Sequence, residues 1–329
     1  MQLLEELKNH KRSRLVIAGF FAVILALVFW FVAALGPVSA SGGSKVLFEV
    51  KKGEGFREVS DNLESSGLLR SDLAAKAYLL FSGAAFNLQA GTYVLSQSMN
   101  APEIIKIIRS GAQEIKVTVP EGYSIYEIDD VLAQNYVIKP GELVAWAKTQ
   151  SFPVEGRLFP DTYNLFLNSA PGDVANKMFA NFGAKTASLL PKDPAQAKKI
   201  LIIASILEKE VPDYKDRQIV AGIILKRLGA KMAIQVDATV CYVKRMAGDA
   251  SCYPLSPADF KLDSPYNTYV YKGLPPGPIG NPGVSAIQAA MSPVQTDYWY
   301  YLSDPATGKT IFSETLDSQA SNRVQYLKK

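Results

Sequence analysis

The run Ala204-Ser205-Ile206-Leu207-Glu208-Lys209-Glu210 sets a carboxyl group where a proton donor could work. Apolar residues at Ile200, Ile203, Ala204 and Leu207 recur at helical spacing. Glu210 follows Leu207 by three positions and Ile203 by seven, so it continues the inward stripe. Glu208 lies on the shoulder of that stripe, and Lys209 points roughly opposite. A carboxyl group shielded from water resists ionisation, and its pKa rises towards the range that a general acid needs near neutral pH. The competing reading is a frayed helix end with Glu208 and Glu210 both solvated.

Composition removes several other chemistries. The one histidine, His10, precedes a long apolar span, so no imidazole is available in the rest of the chain. Ser-His-Asp and Cys-His catalysis are excluded there, and so are the usual zinc ligand sets; no metal and no cofactor is expected. The two cysteines, Cys241 and Cys252, flank a loop at residues 244–249. A disulfide across its base and a pair of free thiols are equally compatible with that spacing. Net charge is +4, and no basic stripe carries interleaved aromatics, which argues against nucleic acid as a partner.

Two further segments carry polar groups suited to a site. Residues 232–240 alternate apolar and polar side chains, as a half-buried strand does, which sets Gln235, Asp237 and Thr239 on one face. That face is either a cleft floor or an ordinary solvated surface. Residues 264–269 crowd Tyr266, Asn267, Thr268 and Tyr269 together. Aromatic faces stack on sugar CH groups, while amides and hydroxyls pair with hydroxyl and N-acetyl groups. The Gly- and Pro-dense residues 273–283 form a stiff loop, either a groove wall or a connection. The aromatics of residues 299–302 read as a core strand.

Helical patterns over residues 172–190, 193–210 and 217–228 would position these groups. Upstream, a weak repeat pairs residues 46–63 with 115–132, matching Val50/Val119, Gly53/Gly122, Glu58/Glu127, Asp61/Asp130 and Leu63/Leu132. Each unit reads as a short strand, a Gly-bearing turn and an amphipathic helix. Between them lie helical patterns at 71–81 and 101–108 and a strand at 88–95. Nearest the N-terminus, residues 15–35 are uninterrupted apolar residues, at ~1.5 Å each long enough to cross a bilayer core. Lys8, Lys11, Arg12 and Arg14 precede the span and no charge follows it until Lys45, so the positive-inside rule leaves the bulk of the chain outside the cell membrane. A cleaved signal is the rival reading, but its apolar core usually runs only ~7–15 residues.

The strand–turn–helix units resemble the LysM-like carbohydrate-binding module. More broadly, the chain resembles the endolytic murein transglycosylases, the MltG or YceG-like family. The resemblance rests on the Ala204–Glu210 run, Arg227-Leu228, Gln235-x-Asp237-x-Thr239-Val240, Ser264-Pro265-Tyr266-Asn267-Thr268-Tyr269 and Gly273-Leu274-Pro275-Pro276-Gly277-Pro278-Ile279, all in the family's order. It also takes in Ala90-Gly91-Thr92-Tyr93, Glu155-Gly156, Pro160-Asp161-Thr162-Tyr163 and Asn281-Pro282-Gly283. It implies a single-pass enzyme of the inner (cytoplasmic) membrane that cuts peptidoglycan glycan strands internally, with Glu210 as the catalytic acid. Cell-wall synthases (penicillin-binding proteins) are candidate partners. Gln235 and Asn267 are candidates for orienting an N-acetyl group or stabilising the Glu210 anion. Asp237 would either raise the Glu210 pKa or make a structural hydrogen bond. Relatives carry histidines near the C-terminus where this chain has Lys309-Thr310 and Gln319-Ala320.

The expected fold class is α+β. It comprises a cytoplasmic stub at 1–14, a transmembrane helix at 15–35, a linker at 36–45 and a LysM-like module at 46–114. A mixed catalytic domain with an antiparallel sheet follows at 115–329, beginning with the second strand–turn–helix at 115–135. Two alternatives stay open: a non-catalytic glycan-binding or scaffold protein, and a two-carboxylate hydrolase using Asp237 or Glu208.

Overall fold

The computed structural model describes residues 2–40, 42–249 and 251–327, with side chains from Leu15 onward. The basic flank Lys8–Arg14 and His10 therefore lie outside the residues whose side chains are described. The chain divides into two compact units, Met1–Glu114 and Ile115–Lys329.

The first unit opens with helix α1 (Gln2–Ala34), whose stretch Leu15–Ala34 is long and apolar enough to cross a membrane. Strand β1 (Lys45–Val50), helices α2 (Phe56–Ser65) and α3 (Asp72–Phe81), strand β2 (Gly91–Ser96) and helix α4 (Ala101–Arg109) follow. β1 and β2 pair antiparallel, with Val50 opposite Gly91 and Lys45 opposite Ser96. Alternate strand residues Phe48, Val50, Tyr93 and Leu95 meet Leu63 of α2 and Ile104 and Ile108 of α4 in one apolar core. A capping box joins Asn100 and Glu103 at the start of α4, satisfying N–H groups that would otherwise lack partners.

The second unit begins with the same sequence of elements. Strand β3 (Glu114–Thr118), helices α5 (Ile125–Gln134) and α6 (Glu142–Lys148), strand β4 (Thr162–Phe166) and helix α7 (Pro171–Thr186) enclose a core of their own, with β3 paired to β4. Helices α8 (Pro194–Glu210), α9 (Tyr214–Gly229), α10 (Asp237–Met246) and α11 (Val284–Met291) then build a helical lobe around Ile203, Ile206, Leu207, Ile224 and Ile287. A hairpin of β5 (Tyr300–Ser303) and β6 (Thr310–Ser313) and helix α12 (Leu316–Leu327) complete the chain.

The architecture is mixed helix and sheet, with small sheets of two strands each. Two local expectations are corrected. Residues 232–236 form no strand, and α10 begins at Asp237. Gln235 turns the chain with φ +55°, so Gln235, Asp237 and Thr239 do not share a strand face. The segment is pinned by donation from the Gln235 N–H to the Thr268 carbonyl and from the Val236 N–H to Thr268 Oγ1, in place of a sheet partner. Strand β5 covers residues 300–302 of the aromatic run, but only Leu302 of that strand is buried; Tyr300 and Tyr301 line a groove.

Candidate active site

Helix α8 starts with Asp193 as its cap, accepting from the Gln196 N–H, and with Pro194 at its first position, where no N–H is needed. Its buried run, residues 201–207, fixes the rotation of the last turn. Glu210 is the final residue of the helix and is partly buried. One carboxyl oxygen accepts the Ala238 N–H of the first turn of α10 at 3.4 Å, and the other accepts the Tyr301 hydroxyl at 3.3 Å. Burial, and then the charge of Asp237, push the Glu210 carboxyl up to about 7. Burial and the charge of Glu210 hold the Tyr301 hydroxyl well above the usual phenol range, so it stays a donor.

The neighbours are held as firmly. Tyr269 donates its hydroxyl to Asp237 Oδ1 at 2.5 Å, and its ring meets Phe260 edge-on at 4.7 Å. Arg227, buried on α9, donates from Nε to the Trp299 carbonyl at 2.8 Å and from Nη1 to the Ile234 carbonyl. Its guanidinium also lies 5.3 Å from the centre of the Tyr300 ring. One side chain thus ties the β5 end to the segment that leads into Asp237, setting Tyr301 and Asp237 around Glu210. A groove of about 720 Å³ opens here, lined among others by Glu210, Gln235, Asp237, Tyr269, Tyr301 and Arg323.

Of the sequence-predicted site residues, Gln235, Asp237 and Tyr269 therefore lie at the groove with Glu210. Thr239 and Thr268 are buried and share a hydrogen bond of 2.9 Å between their hydroxyls. Asn267 is fully buried, with its amide donating to the Phe260 and Leu262 carbonyls and accepting the Tyr269 N–H. Tyr266 packs its ring 5.0 Å from that of Tyr242. These four hold the loop that presents Tyr269. Of the two readings of residues 273–283, the connection holds at this groove, which is bordered instead by β5 and α12. There Gln319 donates to the Tyr301 carbonyl at 3.0 Å.

Glu208, two residues from Glu210, has a different role. It accepts from Arg217 Nη2 at 2.5 Å with both side chains buried, and its other oxygen accepts the Gly283 N–H at 2.9 Å, capping α11. Another buried carboxyl group, Glu155, accepts from the Ile125 N–H, from Asn281 Nδ2 at 2.8 Å and from the Tyr242 hydroxyl at 3.1 Å, and burial pushes it up to about 7. A disulfide joins Cys241 on α10 to Cys252, next to Tyr253 at the groove. No cluster of three or more metal-ligating side chains occurs among the described residues. Tyr301, Arg227 and Glu155 were not marked as site residues by sequence; the aromatic run at 299–301, Arg227-Leu228 and Glu155-Gly156 were the available signals.

Known proteins resemble this chain in sequence and fold. An endolytic murein transglycosylase of Bacillus subtilis (strain 168) is 29% identical over 322 residues, covering 89% of this chain and 88% of the relative. An endolytic murein transglycosylase of Streptococcus pneumoniae is 25% identical over 334 residues, covering 89% of this chain and 60% of that longer protein. The crystal structure of a YceG-like protein from Listeria monocytogenes superposes with a TM-score of 0.53 at 29% identity, covering 85% of this chain and all of the other. The family model for YceG-like proteins matches residues 48–325, which takes in nearly all of both strand–helix repeats, α8 with Glu210 and the hairpin with Tyr301, so the chain belongs to the YceG-like family.

Proposed function

We propose that the protein is a membrane-anchored endolytic lytic transglycosylase, which cuts the β-1,4 bond between N-acetylmuramic acid and N-acetylglucosamine inside peptidoglycan strands. The observation that carries this reading is Glu210, a carboxyl group pushed up to about 7 at the edge of an open groove. The similarity to the endolytic murein transglycosylases of Bacillus and Streptococcus supports it.

The chemistry needs one carboxyl group. Protonated Glu210 gives its proton to the glycosidic oxygen as the bond from that oxygen to C1 of the muramyl sugar breaks. The Ala238 N–H and the Tyr301 hydroxyl hold the resulting carboxylate while positive charge develops at C1. The C6 hydroxyl of the same sugar then closes on C1, and its proton returns to Glu210. The products are a 1,6-anhydro-muramyl end and a free N-acetylglucosamine end, with no water consumed. Glu208, enclosed in its pair with Arg217, is poorly placed as the base that a hydrolase needs. Gln235, Asp237 and Tyr269 would face the substrate, while Tyr266, Asn267, Thr268 and Thr239 support them from behind. Residues 46–114 and 115–135 would serve as LysM-like glycan holders, α1 as the anchor, and cell-wall synthases in the same membrane as partners.

Mass spectrometry of products from purified glycan strands tests the reading. Wild-type protein should yield internal fragments with 1,6-anhydro ends, and Glu210→Gln should lower the rate by about 10²–10⁴-fold with the fold intact. Reducing ends would assign a hydrolase with Asp237 as second carboxylate. Binding without cleavage by the wild type would leave a glycan-binding protein.

A further inference from the structure

A second cavity of about 360 Å³ lies beside the catalytic groove, within the size range of small-ligand pockets, about 300–1,000 Å³. It shares Lys209 and Tyr253 with the groove, so the two are neighbouring openings around those side chains. Its walls carry paired acidic and basic side chains from three helices. Glu127 and Asp130 face it from α5, Lys209 from the end of α8, and Tyr242 and Arg245 from α10. Lys209 Nζ stands 3.0 Å from Glu127 Oε2, and Arg245 Nη2 is bonded to Asp130. Both pairs keep contact with solvent: 34% of the Glu127 side chain and 52% of the Asp130 side chain remain exposed. Arg245 Nε is buried and has no hydrogen-bond partner.

Neutral sugars are recognised by stacked rings, amides and hydroxyls, and two solvated ion pairs suit them poorly. A short peptide with free carboxylates and an amine suits them well: the carboxylates answer Arg245 and Lys209, the amine answers Glu127 and Asp130. Such a peptide hangs from the lactyl ether of muramic acid, the sugar that must sit against Glu210 if the proposed reaction is right. Lys209 adjoins Glu210 in the chain and lines both openings. We infer that this cavity is a subsite for the zwitterionic stem peptide of the muramyl residue at the scissile bond, an inference that rests on the proposed transglycosylase reading. Substrate choice is then set partly by α5, on the second strand–helix repeat.

The test compares glycan strands carrying peptide stems with the same strands stripped by an amidase, using full-length protein in detergent. The wild type should favour stem-bearing strands by about tenfold in kcat/KM, the discrimination expected from one charge-assisted hydrogen bond. Arg245→Ala should bring that ratio close to one. A purely structural role for Arg245 lowers both rates alike and keeps the ratio, which overturns the inference, as does equal cleavage of both strands by the wild type. Titration calorimetry with the free stem tetrapeptide judges the cavity independently of cleavage. Wild-type protein should bind it and Arg245→Gln should bind it several-fold more weakly, whereas no heat with wild type overturns the subsite. Cleavage of neither strand with the peptide still bound overturns the transglycosylase reading alone.

Discussion

Residues 45–109 and residues 114–186 are built on one plan, and they differ in what the outer face of their first helix meets. In both, strand, helix, helix, strand and helix follow in that order. Gly53 and Gly122 make the turn after the first strand with φ +87° and +80°. Gly67 and Tyr136 end the first helix in the left-handed region, and the next residues, Leu68 and Val137, donate to the Leu63 and Leu132 carbonyls at 2.9 Å in each case. Tyr93 and Tyr163 each donate a buried hydroxyl to the carbonyl four residues earlier, at 2.6 and 2.5 Å. Outside, the copies diverge. Glu58 is exposed and Asp61 pairs with Lys76 of its own copy, whereas their counterparts Glu127 and Asp130 pair with Lys209 and Arg245 of the helical lobe. Packing demands the same interior in both copies; the solvated face is free to acquire different partners, and in the second copy it has become a wall beside the candidate active site.

Asn281 stitches the second copy to the lobe. Its amide donates to Tyr123 and Glu155 and accepts the Leu158 N–H at 2.8 Å, and its backbone exchanges hydrogen bonds with Gly122 and Tyr123. Asn281→Ala leaves several buried groups without partners, and should cost about 3–5 kcal/mol in urea unfolding with most activity lost. A cost below about 1 kcal/mol would mean that packing alone holds the second copy.

Glu155 adds a pH term to the same seam. It sits in the connection between α6 and β4; the matching connection of the first copy carries the uncharged Ala84-Ala85-Phe86. Its pKa is raised on folding from 4.5 to about 7, so the folded state holds more protons than the unfolded one between those values. Stability is therefore undiminished below pH 4.5 and falls as pH rises through 7, by up to about 3 kcal/mol. Glu155→Gln should flatten that decline, measured as urea midpoints from pH 5 to 8. An equally steep decline in the variant would move the cause to another buried carboxyl group, Glu210 first.

The interior of the repeat was legible because apolar spacing at periods of two and 3.6 is a property of single elements. Its second half was harder to align: the offset of 69 that matches Gly53 with Gly122 becomes 70 at Tyr93 and Tyr163, after connections of unequal length. The Glu210 stripe was legible for the same reason as the helices. The start of α10 was not, since Val236 at its cap offers no side-chain acceptor and residues 232–240 alternate as a strand would. A left-handed Gln235 leaves no mark in sequence. Nor could spacing tell that the Asn267 amide bonds to backbone instead of facing a groove, because its partners depend on how the loop folds.

Gly53 and Gly122 allow a more delicate separation of fold from site. An added Cβ at Gly53 meets nothing within 4 Å, whereas at Gly122 it lies 3.1 Å from Glu208 Cγ. Gly53→Ala should therefore cost only the left-handed strain, about 1 kcal/mol, with cleavage unaffected. Gly122→Ala should cost about 2 kcal/mol and slow cleavage, because Glu208 is pushed against Arg217 at the end of the helix that carries Glu210. Equal effects of the two on cleavage would show that the helix end tolerates the shift.

The smallest effect belongs to Tyr136, which occupies with φ +58° the position that Gly67 fills in the first copy with φ +67°. A Cβ in this region costs about 1–2 kcal/mol, and glycine returns about 0.5–1 kcal/mol of that through the greater freedom of its unfolded chain. The backbone bonds do not depend on the ring: the Tyr136 N–H donates to Ala133 and its carbonyl accepts the Asn168 N–H at 2.9 Å. Tyr136 is 37% exposed, and the packing lost with its buried part offsets some of that gain. Tyr136→Gly should thus raise stability by about 0.5 kcal/mol, read as a higher urea midpoint with unchanged slope. A lower midpoint would mean that the ring, and not the turn, is what the second copy retains at this position.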